Sequence, residues 1–174
     1  MKRKYNFVAT TGMLIALTVS LQLLGRYIPL GVYNNFVIGP LVNACLFVSV
    51  IMVGWPSGVI VGLLSPFGAI LTGSAIPLLF TPFIVAGNFL LVIIFNLLKK
   101  KRIIGIIGAS IVKTTFLYVA IICMLSILKL PPKKSGMMLF LFSWPQLITA
   151  LLGGVIAINV LNRLGKQITQ KIDC

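Results

Sequence analysis

The chain has 174 residues, of which 59% are hydrophobic and 9% charged, and its mean hydropathy of +1.13 excludes a soluble domain with an ordinary polar surface. Fifteen Lys and Arg face a single acidic residue and no His, for a formal charge of +14. In a soluble chain that balance would point to nucleic acid, but here the basic residues sit at the ends of apolar runs, where bilayer topology places them.

The first apolar run covers residues 5–25 of "MKRKYNFVATTGMLIALTVSLQLLG". It is about long enough to cross a bilayer and no clear A-x-A site follows, so it reads as a retained span rather than a cleaved signal. Gly12, Ala16 and Ser20 recur every four positions on it. Such a face lets helices approach closely in lipid, either within this bundle or against another membrane protein.

Between Tyr27 and Leu98 there is no charged residue. Turn signals at "GRYIPLGVYNN" (25–35), "GWPSG" (54–58) and "TGSAIP" (72–77) divide the stretch into spans of 34–53, 56–72 and 77–98. Loop charge sets the parity: "KRK" (2–4) and "KKKR" (99–102) should both be cytoplasmic, which demands an even number of crossings between them. The third span is short and interrupted by "SPFG" (65–68), so it is either bent or partly re-entrant. A fifth run, 103–128, ends at "KLPPKKSG" (129–136), and a sixth covers 137–161. The expected fold is an all-α integral membrane protein, one domain over residues 1–174 with six transmembrane helices and both termini in the cytoplasm. Arg26, Lys129, Lys133 and Lys134 then lie outside, the other terminal and loop cations inside, and Lys113 within the membrane.

The absent residue types narrow the function. General acid/base catalysis, metal binding and proton relays use His, Cys and carboxylates, so no enzyme, no catalytic residue, no metal site and no cofactor is expected. Cys45, Cys123 and Cys174 form no C-x-x-C pair, and there is no GxxxxGK[ST] phosphate loop. Transport against a gradient would therefore draw energy from another polypeptide.

Ionisable groups at membrane depth generally face the bundle interior and mark a ligand pathway. Lys113 lies ten residues, about 15 Å, along the fifth span from Ile103, and Asn88 about 16 Å into the fourth, so both fall near the midplane. Gln146 and Trp144 sit higher on the sixth span, and Tyr118 one to two turns above Lys113. An ammonium, two amides and aromatic surface describe a pocket for a small ring-bearing solute. The alternatives are structural. Lys113 can snorkel to the headgroups, Asn88 can hydrogen-bond another helix, and "SWPQ" can be an interfacial helix start. Asn43 and Gln22 are further polar residues at depth.

Six short spans, a basic tail leading to "GMLIA" (12–16), the "GRYIPLG" loop, "TPFIVAGN" (81–88), "ASIVKTTFLYV" (109–119) and "SWPQLITALLGGVIA" (143–157) resemble the substrate-binding S component of energy-coupling factor (ECF) transporters. The resemblance implies a multi-pass subunit of the bacterial cell membrane that captures a vitamin or related micronutrient from outside. It implies a lid from the loop between the first two helices, here Tyr33, Asn34 and Asn35, and ligand contacts from the outer halves of the fourth to sixth helices. It further implies partners: a transmembrane T component, docked on the family's AxxxA face at Gly12 and Ala16, and two cytoplasmic ATPase subunits. An anionic group on the cargo, such as a carboxylate, would give Lys113 a partner, while a neutral ring fits if Lys113 donates to a hydroxyl. The competing readings are a self-contained facilitator or channel and a non-transporting membrane scaffold.

Overall fold

The computed structural model describes residues 2–27, 31–71, 78–128 and 131–172, so Lys129, the turn at 72–77 and Asp173 lie outside the described residues. Every regular element among them is helical: α1 (Lys2–Arg26), α2 (Asn35–Met52), α3 (Trp55–Leu71), α4 (Thr81–Leu98), α5 (Arg102–Leu128), α6 (Pro132–Leu141) and α7 (Trp144–Ile172). Short 3-10 turns at Gly31–Asn34 and Leu78–Phe80 lead into α2 and α4. Five helical stretches, Phe7–Gly25, Asn35–Met52, Leu78–Leu98, Arg102–Ile127 and Ser135–Leu164, are long and apolar enough to cross a membrane. With 17 residues α3 is the shorter one, spanning about 26 Å against a hydrocarbon core of about 30 Å. By length and composition this is an all-α, multi-pass membrane bundle.

Helix α2 is the axis of the bundle, packing against α1, α3, α4 and α7. Its stretch "NACLFVSV" (43–50) is buried at every position, as expected of a helix that is nearly all apolar and has neighbours on all sides. Leu46, Phe47 and Val50 meet Val61 of α3, Leu91, Val92 and Phe95 of α4, and Ala150 of α7 in the main core. The Phe47 and Phe95 rings meet edge to face with centroids 4.8 Å apart. A second cluster, Phe80, Leu117, Ile121, Met138, Leu141 and Phe142, ties α4, α5 and α6 together at the opposite end.

The chain direction alternates. Thr11 bonds Ser57 and Gln22 bonds Ser65, so α1 and α3 run parallel, while Gly39 meets Thr149 and Asn43 meets Gly153, so α2 and α7 also run parallel. The tight α2–α3 turn depends on Gly54, at φ +124°, with the Val53 and Gly54 amides both donating to the Ser49 carbonyl. Alternation brings this turn, the exposed cations Lys99, Lys100, Lys101 and Arg102, and exposed Arg163 to one end of the bundle.

The last apolar run is not one helix. It breaks at Phe142 and Ser143 because Pro145, near the start of α7, has no N–H to continue the helical ladder from α6.

Candidate functional site

Helix α5 turns a buried face, Ile106, Ala109, Ser110, Lys113, Leu117 and Ile121, to the bundle at the three-to-four spacing of an amphipathic helix. Lys113 is therefore carried inward and is only 4% exposed. Its Nζ donates to Asn43 Oδ1 of α2 at 2.7 Å, and Asn43 Nδ2 donates to the Gly39 carbonyl one turn back at 3.0 Å. The close passage of α7 holds Asn43 in place: a methyl group on Gly153 would lie 2.6 Å from Asn43 Cβ and 2.7 Å from the Pro40 carbonyl oxygen.

This is an unusual environment for a cation. Lys113 is the one buried charged side chain among those whose burial is described, and the described residues contain no Asp or Glu. An ammonium carries three N–H donors, and Asn43 offers it a neutral acceptor. Beside it on α5, the Ser110 and Thr114 hydroxyl oxygens are buried with no hydrogen-bond partner.

Three of the candidate amides, Asn88, Gln146 and Asn34, each donate to a backbone carbonyl. Asn88 Nδ2 donates to the Gly62 carbonyl at 3.1 Å, the acceptor four residues before Pro66, and to Ser65 Oγ at 3.2 Å. Gln146 Nε2 donates to the Leu141 carbonyl at 3.3 Å, four residues before Pro145. Asn34 Nδ2 donates to the Gly25 carbonyl at 2.6 Å, at the C-terminal end of α1, where the last carbonyls have no donor within the helix. At Gly62 and Leu141 proline has no N–H for the carbonyl four positions back, and a side-chain amide supplies it. Asn88 thus ties α4 to α3 rather than joining Lys113.

The aromatic candidates gather elsewhere. Tyr33 stacks with Phe36 at 6.4 Å between centroids, Phe36 meets Trp144 at 5.8 Å, and Trp144 meets Phe140 edge to face at 5.6 Å. Tyr33 and Trp144 are both more than half exposed, and Asn35 is half-buried at the first turn of α2. The structure thus brings Tyr33 and Trp144 into one cluster at the end opposite the exposed cations. Tyr118 is 43% exposed, because five residues on a helix turn it about 140° away from Lys113. On α1, Gly12 and Ala16 are exposed, and a methyl group on Gly12 would meet nothing within 4 Å.

The sequence reading named Asn43 as a polar residue at depth but not as the partner of Lys113, and did not single out Ser110 or Thr114. Spacing could have found Ser110, which lies three residues before Lys113 and so on its face. No family model, curated protein or solved structure matches this chain.

Proposed function

We propose that the chain is the substrate-binding membrane subunit, an ECF-type S component, of an ATP-driven uptake transporter in the bacterial cell membrane. It takes a vitamin or related micronutrient bearing an anionic group and passes it on with a transmembrane T component and two cytoplasmic ATPases. The observation that carries the reading is Lys113, a buried cation held by a neutral amide in a chain whose described residues hold no carboxylate side chain. An intramembrane cation is costly to insert and is retained where it serves a ligand or ion path. The lack of any proton-relay or ATP-hydrolysing motif in the sequence supports a subunit driven by others. The exposed Gly12 and Ala16 supply a small-residue face for the T component. Both termini are assigned to the cytoplasm by the positive-inside rule.

Affinity purification of the tagged chain from its own host in mild detergent tests this directly. The expected eluate holds one further membrane protein and two ATPases, with a small organic molecule released on denaturation. A chain that elutes alone and empty from membranes in which it is abundant would end the proposal.

A further inference from the structure

We infer that Lys113, Ser110, Thr114 and Asn43 form a receptor for one monoanionic group, a carboxylate, between α5 and α2. The inference rests on reading Lys113 as the ligand-binding group of the proposed subunit, and adds the charge class of the ligand and the residues that would hold it.

The hydroxyls are the independent observation. Helical Ser and Thr usually bond a carbonyl three or four residues back. Thr18, Ser49, Ser126 and Thr149 all do so in this molecule, onto Leu14, Leu46, Ile122 and Gln146. Ser110 and Thr114 do not, although Ser110 is completely buried and Thr114 Oγ1 is shielded from solvent. Ser110 lies three residues before Lys113 and four before Thr114, so it is the helix-face neighbour of both and links the two. Two hydroxyl donors and an ammonium match the two oxygens of a carboxylate, each of which accepts more than one hydrogen bond.

Charge selects the class. One buried cation and one monoanion make a neutral pair, whereas a phosphate dianion would leave a net negative charge in a low-dielectric interior with nothing to offset it. Asn43 Oδ1 already occupies the acceptor position at 2.7 Å from Nζ, as the neutral analogue of one carboxylate oxygen. Asn43→Asp should therefore build the anion into the chain itself.

The test is the unfolding temperature of the purified full chain in detergent, titrated with sodium acetate and, at matched ionic strength, sodium sulfate. Acetate should raise it saturably and sulfate should not. Ser110→Ala and Thr114→Val should each weaken the acetate midpoint about tenfold, the equivalent of one charge-assisted hydrogen bond. Asn43→Asp, which supplies the anion at the cost of the bond to the Gly39 carbonyl, should no longer respond to acetate. The inference is overturned if the parent shows no saturable acetate response, if both hydroxyl variants titrate like the parent, or if Asn43→Asp is still acetate-sensitive. An acetate response without co-purifying ATPases would sink the transport reading and leave the receptor standing. Co-purification without an acetate response would do the reverse.

Discussion

At the scale of single residues, the recurring device is a side-chain amide that answers the carbonyl four positions before a proline. Pro66 leaves the Gly62 carbonyl of α3 without its backbone donor, and Asn88 Nδ2 reaches it from α4 at 3.1 Å. In lipid an unmet carbonyl has no water to fall back on, so the pairing is worth more than its length suggests. Asn88→Leu should lower stability by about 0.5–1.5 kcal/mol, the net worth of one hydrogen bond, because Ser65 Oγ also donates to the Gly62 carbonyl at 3.5 Å. Pro66→Ala returns an N–H to the helix, so in that background Asn88→Leu should cost clearly less. Detergent unfolding of the four proteins of this double-mutant cycle checks it, and simple additivity would show that Asn88 and Pro66 act independently. The same logic covers Gln146 with Pro145, where the bond is 3.3 Å.

At the scale of helices, packing turns on where a side chain can be omitted. A methyl group on Gly153 would press on Asn43 Cβ, the Pro40 carbonyl and the Ala44 amide at 2.6, 2.7 and 3.0 Å, all parts of α2 that no rotamer change can move aside. Gly153→Ala should therefore force α7 off α2 and destabilise by about 1–3 kcal/mol, read as early unfolding and loss of a monodisperse detergent peak. Gly12→Ala, with nothing within 4 Å, should leave both unchanged. The helices themselves were legible in the sequence, because uncharged runs bounded by Gly, Pro and Lys clusters leave few other solutions in a bilayer. The break at Phe142 and Ser143 is less legible: the apolar run 137–161 continues across it, and "SWPQ" as a helix start is only one of the alternatives that the sequence allows. Rotation about each helix axis was hardest to read. Asn43 meets Lys113 across 70 positions of sequence, and which face of α2 turns to α5 depends on how α2 packs with all its other neighbours.

At the scale of the whole molecule, the alternating helices and the cation distribution make one argument. Parallel α1 and α3, and parallel α2 and α7, put the α2–α3 turn and the α4–α5 turn at the same end. That end carries Lys99, Lys100, Lys101, Arg102 and Arg163, all exposed, while the aromatic cluster of Tyr33, Phe36, Phe140 and Trp144 lies at the other. Basic residues resist translocation, so the proposed orientation puts the cationic end in the cytoplasm. The orientation predicts opposite labelling of two sites. With Cys45, Cys123 and Cys174 replaced, a membrane-impermeant maleimide should label Gly136→Cys, exposed near the start of α6, in intact cells. It should reach Lys100→Cys, in the exposed α4–α5 turn, only after the membrane is opened. Labelling of Lys100→Cys from outside would invert the bundle, place the aromatic cluster in the cytoplasm, and leave the proposed nutrient capture without an outward face.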